Sequence, residues 1–156
     1  MITGSSSGIG RDMAYYLANL GYDLILVGRN KVRLEEVKTK ISEKVKVKIV
    51  VVDLSNSQKV KELYVLTKND NIDILVNNAG FGVFGEFINT DINTELNMID
   101  VNIKALHMLT KFYLKDMVKK DKGLILNVAS SASFMAGPLL SSYYASKSYV
   151  YRLTLA

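Results

Sequence analysis

The sequence predicts an α/β fold in which helices cover both faces of a doubly wound parallel sheet, with the strand order 3-2-1-4-5. Short apolar runs alternate along the chain with longer amphipathic stretches, as in repeated strand–helix units. The apolar runs are nearly continuous, which is typical of strands buried on both faces. Right-handed crossovers between successive strands then give this strand order most simply. A chain of 156 residues fits one domain, so a single domain over residues 1–156 is expected.

Each element is predicted from the spacing of its apolar residues. The strands are short apolar runs between turn signals, at Met1–Thr3, Tyr22–Val27, Val45–Val52, Ile72–Val76 and Leu124–Val128. The helices repeat apolar residues every three or four positions, at Ile9–Leu20, Lys31–Glu43, Ser57–Lys68, Ile92–Lys119 and from about Ser142 to the end of the chain. Gly21 is expected to end the first helix.

Composition and charge exclude several kinds of site and partner. The chain has no Cys, which excludes disulfides, thiolate nucleophiles and Cys-based zinc sites, and no metal site is expected. The formal net charge is +5, but lysines alternate with β-branched residues at 45–49, a pattern typical of a protected edge strand. We therefore expect no nucleic-acid partner. No apolar run approaches membrane-spanning length and no signal pattern opens the chain, so no membrane partner and a cytoplasmic location are expected.

Small or polar residues follow every predicted strand. They are Gly4–Gly10, Arg29, Asp53, Asn77–Gly80 and Ser130. Because the carboxyl ends of parallel strands meet at one edge of the sheet, and ligands bind there, these residues predict a single site.

A Gly-rich turn joins the first strand to the first helix. Glycine lets the backbone approach a pyrophosphate closely, and the start of a helix supplies free N–H groups and a positive dipole. The expected dinucleotide contacts in this turn are Gly4, Ser6, Ser7, Gly8, Ile9 and Gly10. The alternative is a plain turn that caps a helix.

The residue after the second strand predicts which dinucleotide binds. A carboxylate there would accept hydrogen bonds from a ribose 2′-hydroxyl, whereas a guanidinium would pair with a 2′-phosphate. This chain has Arg29, and the only nearby acid, Asp23, lies at the other end of the strand. NADP(H) is therefore favoured over NAD(H). A solvated surface charge is the alternative for Arg29.

Two further segments are predicted to contact the cofactor. Asp53 could accept a hydrogen bond from the adenine amino group, with Leu54 beside it, or could cap the next helix together with Ser55. The small and amide residues that end the fourth strand would let the backbone pass close to a ribose. The contacts expected there are Asn78, Ala79 and Gly80.

Tyr143 and Lys147 are neighbours at i and i+4 on one helix face. An ammonium about 5 Å from the phenol oxygen, at an effective dielectric constant of about 20, favours the phenolate by about 3 kcal/mol. A position near the start of a helix adds to this effect. The pair could therefore donate and accept a proton near neutral pH. The same spacing is also common in surface pairs.

Taken together, these motifs resemble the compact branch of the short-chain dehydrogenase/reductase family. The matching motifs, in order, are Thr3-Gly-x-x-x-Gly-x-Gly10, Asn77-Asn-Ala-Gly80, Asn102, Ser130 and Tyr143-x-x-x-Lys147. The resemblance covers essentially the whole chain and implies a Rossmann-like dinucleotide-binding domain. It further implies an NADP(H)-dependent oxidoreductase that transfers hydride between nicotinamide and a small carbonyl or alcohol substrate.

The resemblance also implies a role for each catalytic residue. Tyr143 would protonate the substrate oxygen, and Lys147 would stabilise the tyrosinate and bind the nicotinamide ribose. Ser130 would orient the carbonyl, with Ser131 and Ser133 as less favoured choices. Asn102 would hold a water of the proton relay, or would simply be an amide in a helix interior. Family members commonly form homodimers or homotetramers through the long Ile92–Lys119 helix and the last helix.

The chain departs from the family pattern at both ends. Family members begin several residues before the Thr-Gly turn and continue past the Tyr-x-x-x-Lys helix into two further strands and a substrate lid. Here Met1-Ile2 forms nearly all of the first strand, and the chain stops at Ala156. We therefore expect a truncated domain that lacks the last two strands and exposes an apolar sheet edge. A dinucleotide-binding module without turnover is the main alternative function.

A serine hydrolase is a second alternative. Gly4–Gly8 also matches the G-x-S-x-G nucleophile elbow at a strand-to-helix turn. A hydrolase needs a base, and the only histidine, His107, lies in an amphipathic helix. This function is therefore disfavoured.

Overall fold

The computed structural model describes residues 1–156 and contains one parallel sheet of five strands in the order 3-2-1-4-5. The strands are β1 (Ile2–Thr3), β2 (Leu24–Gly28), β3 (Val47–Val51), β4 (Ile74–Asn77) and β5 (Leu124–Asn127). The central strand β1 is short, and its Ile2 pairs with Leu26 on one side and Val76 on the other. The predicted fold class and strand order are confirmed.

Helices connect the strands as predicted, with two differences. They are α1 (Gly8–Asn19), α2 (Lys31–Ile41), α3 (Ser57–Thr67), α4 (Ile92–Ile99), α5 (Leu106–Lys120) and α6 (Ser141–Leu155). Gly21 follows α1 with a φ of +84°, as expected for a residue that ends a helix. The predicted continuous helix over 92–119 is wrong in its middle, because Asp100–Ala105 forms a π-helical segment between α4 and α5. A short 3₁₀ helix at Ser131–Phe134 follows β5, and it was not predicted from the spacing of apolar residues.

The core is divided between the two faces of the sheet. On one face, α1 and α2 pack their buried Ala14, Ala18 and Leu34 against Ile2 and Leu26. The other face is covered by α3 and α5, whose core residues are Val60, Leu63, Leu109, Tyr113 and Met117. Since β2 is buried along its whole length, the continuous apolar run in its sequence is explained by cover on both sides.

The two edges of the sheet differ. At the β3 edge, Lys48 Nζ lies 2.5 Å from Asp70 Oδ2, so a charged side chain protects this edge as its sequence indicated. At the β5 edge, Leu124 and Leu126 expose 58% and 43% of their surface. None of the helices combines the length and the apolar character that crossing a bilayer requires.

Tyr113 joins α5 to α3 inside the core. Its side chain is 2% exposed, and its hydroxyl lies 2.5 Å from Thr67 Oγ1. The ring of Tyr64 packs edge-on against it, with 5.4 Å between ring centroids. Burial raises the pKa of Tyr113 to about 12.

This raised pKa predicts a loss of stability at alkaline pH. The unfolded phenol titrates near pH 10, so above that pH the unfolded state releases a proton that the folded state keeps. The stability from Tyr113 should be complete below pH 10 and fall by about 1.4 kcal/mol per pH unit towards pH 12. Denaturant unfolding between pH 9 and 12 measures this slope, which Tyr113→Phe should remove. Tyr16→Phe, at an exposed position on α1, is the matched control and should keep the wild-type slope.

Candidate active site

A cleft of about 800 Å³ lies at the carboxyl ends of the strands. Residues that follow all five strands line it, and two residues of α6, Tyr143 and Lys147, complete the wall. A second depression, lined by Asp23, Lys46 and Asp70 among others, lies at the opposite ends of the strands and contains none of the predicted site residues. The fold therefore brings residues from the ends of all five strands to one cleft.

Most predicted cofactor contacts line this cleft. They are Gly4, Ser6, Ser7, Gly8, Ile9, Arg29, Asp53, Leu54, Asn78, Gly80, Tyr143 and Lys147. Gly10, Ala79, Asn102 and Ser130 are not among the lining residues. Each of these four residues contacts a lining residue or is next to one in the sequence.

The Gly-rich turn is shaped by two different requirements for glycine. Gly4 and Gly8 have φ values of +66° and +53°, which side-chain-bearing residues rarely adopt. Gly10 is needed for space, because a Cβ there would lie 2.4 Å from Asn78 Nδ2 and 2.5 Å from the Gly4 carbonyl oxygen. Gly10 therefore packs α1 onto the turn, while the start of α1 faces the cleft with its free N–H groups.

Thr3 ties the end of β1 to the end of β4. Its Oγ1 accepts hydrogen bonds from the backbone N–H groups of Asn78, at 3.0 Å, and Ala79, at 3.1 Å. In return, Asn78 Nδ2 donates to the carbonyl oxygens of Thr3, at 3.0 Å, and Gly4, at 3.3 Å. The backbone of Ala79 is thus held by the protein, and the motif threonine, to which the sequence analysis gave no role, positions both loops.

Arg29 lines the cleft together with a second arginine that was not predicted from the sequence. Arg33, in the first turn of α2, lines the same cleft. It is a second basic residue only four positions after Arg29 in the sequence, and this nearness along the chain was the available signal. Asn30 caps α2 by accepting a hydrogen bond from the Arg33 N–H at 3.0 Å. Neither arginine makes an ion pair with an acidic side chain.

Asp53 has a depressed pKa and does not cap a helix. Its Oδ1 accepts hydrogen bonds from the N–H of Ser55, at 3.0 Å, and from its Oγ, at 2.9 Å. Both hydrogen bonds lower the pKa of Asp53, and the one from the Ser55 backbone has the larger effect. The charge of Arg29 lowers this pKa further. The alternative that Asp53 and Ser55 cap α3 is wrong, because Asn56 is the N-cap and accepts from the N–H groups of Gln58 and Lys59.

Tyr143 and Lys147 face the cleft from α6. Lys147 Nζ lies 6.0 Å from the centre of the Tyr143 ring and donates to the Val128 carbonyl oxygen at 2.8 Å. Lys147 is only 5% exposed, and this burial lowers its pKa. An ammonium has three N–H donors, so donors remain for a ligand in the cleft.

Asn102 lies in the π-helical segment and is buried. Its Oδ1 accepts from the Phe81 N–H at 3.0 Å, and its Nδ2 donates to the Phe81 carbonyl oxygen at 2.8 Å and to Ser146 Oγ at 3.1 Å. Ser146 Oγ in turn donates to the Tyr143 carbonyl oxygen at 2.7 Å. The side chain therefore joins the loop after β4 to α6. Its role in holding a relay water stays a prediction.

Ser130 begins the 3₁₀ helix after β5, one residue beyond Ala129 in the cleft wall. Its Oγ accepts from the Ala132 N–H at 3.2 Å. Of the two less favoured serines, Ser133 is buried and donates to the Lys147 carbonyl oxygen at 2.9 Å, whereas Ser131 is exposed. Of the three serines, Ser130 is therefore the closest in sequence to a residue that lines the cleft.

The mouth of the cleft beside Tyr143 is built from residues that no motif indicated. Phe81, Gly82 and Leu140 line it. A Cβ on Gly82 would lie 3.4 Å from both Leu140 Cδ2 and Tyr143 Cδ2, so these side chains pack closely around the glycine. His107 lies outside the cleft, where its Nδ1 is 2.7 Å from the Tyr149 hydroxyl oxygen, so the hydrolase alternative has no histidine base there.

Comparison with known proteins agrees with this geometry. The model of the short chain dehydrogenase family matches residues 1–156. Hydroxysteroid dehydrogenase-like protein 1 of Gallus gallus is 38% identical, over 96% of this chain and 47% of its own length. An uncharacterized oxidoreductase of Staphylococcus saprophyticus is 37% identical, over 99% of this chain and 68% of its own length.

A solved structure gives the same result. A short-chain dehydrogenase from Sphingobium yanoikuyae, in complex with NADPH, matches with a TM-score of 0.94 and 33% identity, over 99% of this chain and 62% of that one. The chain therefore spans between about half and two thirds of the length of these relatives. Since the family match extends over every residue, this chain belongs to the short-chain dehydrogenase family of oxidoreductases.

Proposed function

We propose that this chain binds NADP(H) in the cleft and that Tyr143 is the acid and base of a reaction between a carbonyl and an alcohol. The observation that carries the proposal is the meeting of Tyr143, Lys147 and the Gly-rich turn in one cleft. The residues of the turn also fit a dinucleotide, because Gly8 lines the cleft and has open space where a Cβ would stand, so a pyrophosphate could approach the backbone there. When bound, the nicotinamide supplies or accepts the hydride.

The phosphate end of the site is assigned to the turn and to the arginines. The start of α1 presents N–H groups to a pyrophosphate, and Ser6 and Ser7 stand beside it in the cleft wall. Arg29 is the proposed partner of a 2′-phosphate, since a guanidinium binds a phosphate through two hydrogen bonds. The solved relative from Sphingobium yanoikuyae holds NADPH, which supports this preference by analogy.

Proton transfer is assigned to the opposite end of the cleft. Tyr143 is half-buried at the mouth, where its hydroxyl would donate a proton to a carbonyl oxygen or take one from an alcohol. The Lys147 ammonium, whose Nζ lies 6.0 Å from the centre of the ring, would supply the positive charge next to the transferred proton. Ser130 would orient the substrate oxygen, and Asn102 holds Phe81 and α6 in place around it.

A dinucleotide-binding module without turnover is the second candidate. Several loops supply the walls of the cleft, and Phe81, Gly82 and Leu140 are among the residues that line it with Tyr143. Relatives carry further chain beyond the matched part. Binding of NADPH without reduction of any ketone would favour this candidate.

Self-association is also proposed. Ile92, Leu96 and Ile99 on α4 expose 61%, 50% and 37% of their surface along one side of the helix. Burying these side chains against a second copy would remove apolar surface from water. A homodimer or homotetramer is the proposed state.

The cofactor preference can be tested at Arg29. Arg29→Ala should weaken NADPH binding about 10- to 100-fold and leave NADH binding nearly unchanged, because only NADPH carries the 2′-phosphate. Titration of the fluorescence of each reduced cofactor measures both affinities. Arg11→Ala, at an arginine on α1 outside the cleft, is the matched control and should change neither. An equal loss for both cofactors would contradict the assignment.

The catalytic role of Tyr143 predicts a separation of binding from turnover. Tyr143→Phe should lower NADPH-dependent reduction of a ketone panel at least about 100-fold, because the proton donor is lost. Its NADPH affinity should stay within about twofold, since the phosphate contacts are untouched. Tyr144→Phe removes a neighbouring hydroxyl that lies outside the cleft and should keep wild-type turnover. Full turnover in the Tyr143 variant would rule out the assignment.

A further inference from the structure

A buried carboxylate that the proposed reaction does not use lies next to the start of α6. Glu95, on α4, is 7% exposed. One carboxylate oxygen accepts a hydrogen bond from the Thr90 hydroxyl, and the other accepts one from Ser142 Oγ at 2.8 Å. Ser142 directly precedes Tyr143. This carboxylate therefore connects the loop after β4, the helix α4 and the first turn of α6.

An apolar side chain would fill this position at lower cost. Removing a charged group from water is unfavourable unless hydrogen bonds replace its hydration. The next buried position on the same helix, Met98, is fully buried and apolar, as expected for a face that packs inside the protein. Packing alone therefore does not explain a carboxylate at position 95. Its hydrogen bonds from the hydroxyl groups of Thr90 and Ser142 do.

The start of α6 is strained and has no cap of its own. Leu139 has a φ of +64°, which is uncommon for a leucine and unfavourable. The N-cap residue, Leu140, makes no side-chain hydrogen bond to the helix. Strained backbone of this kind persists only where surrounding contacts hold it.

Two contacts hold this strained start. The Gly85 N–H donates to the Leu139 carbonyl oxygen at 2.8 Å, and Ser142 Oγ donates to Glu95. A carboxylate near the first turn also interacts favourably with the positive end of the helix dipole. Both Leu140 and Tyr143 line the cleft, so the geometry of its mouth depends on how this turn is held.

We propose that Glu95 is a positioning residue, which holds the strained first turn of α6 through Ser142 and so sets the place of Tyr143 in the cleft. The proposal rests on the proposed function for its effect on turnover. Its structural part, the holding of the turn, stands independently of any substrate. Thr90 completes the carboxylate's hydrogen bonds and extends the connection to the loop that carries Phe81 and Gly82.

Amide hydrogen exchange tests the structural part without a substrate. The Tyr144 N–H donates to the Leu140 carbonyl oxygen at 3.0 Å and reports on the first turn of α6. Ser142→Ala should raise its exchange rate about tenfold, because it removes the hydrogen bond to Glu95, and Glu95→Gln should raise it less, because the amide oxygen can still accept that bond without the charge. NADPH affinity should stay within about twofold, since the phosphate contacts lie at the other end of the cleft.

The matched control is Asp91→Ala. Asp91 caps α4 by accepting from the Thr94 N–H at 2.7 Å, so this change weakens the same helix without touching α6. It should raise exchange in α4 and leave the Tyr144 amide at its wild-type rate. An unchanged Tyr144 amide in both Glu95→Gln and Ser142→Ala, or an equal rise in Asp91→Ala, would overturn the proposal.

Turnover tests the functional part. Glu95→Gln should lower kcat for ketone reduction with little change in KM. Leu139→Gly removes the strain at the positive φ and should restore part of that kcat, a coupling that a merely stabilising residue would not show. Purely additive effects would overturn the link to Leu139. If the wild-type protein reduces no ketone, the proposed function fails, while the exchange result still decides whether Glu95 holds the turn.

Discussion

The close contact between the ends of β1 and β4 is the constraint on which the site depends. Thr3 holds the backbone of Asn78 and Ala79, and the space between Gly10 and Asn78 admits no additional atom. The strand order makes this contact possible, because β4 lies directly beside β1 although most of the chain's first half separates them. With the two ends locked together, the Gly-rich turn faces α6 across one cleft. The Gly-rich turn and the loop after β4 are thus fixed relative to each other by a few hydrogen bonds.

Lys147, in contrast to these loop contacts, destabilises the fold. An ammonium that is 5% exposed, with a pKa lowered by burial, is unfavourable for folding. It is retained beside the Tyr143 ring and anchored to Val128 at the end of β5. Perturbed titratable groups concentrate at functional sites, and this one has no acidic partner that would give it a structural role.

Much of the fold and most of the cleft could be predicted because both follow from local patterns. Apolar strands and periodic helices give the sheet, and turn residues at strand ends then converge by topology. The π-helical segment was not predictable in this way, since Ile99, Ile103 and Leu106 keep spacings that fit an ordinary α-helix. Glu95 was missed for a different reason. On a helix a lone glutamate usually indicates a solvated face, and one hydrogen-bond partner of the buried Glu95, the distant Ser142, is brought to it only by the tertiary structure.

The π-helical segment has a consequence for how this chain tolerates changes in length. Each residue of an α-helix turns the following residues by about 100°. The widened turn at Asp100–Ala105 acts as one residue inserted into a regular helix, so α5 is rotated relative to α4. Deleting a single residue there would restore regularity but would swing Leu109 and Tyr113 out of the sheet's core and pull Asn102 away from Phe81. The segment therefore sets the rotation of α5 relative to α4. Insertions or deletions that a surface loop would tolerate would disrupt both the core and the cleft at this point.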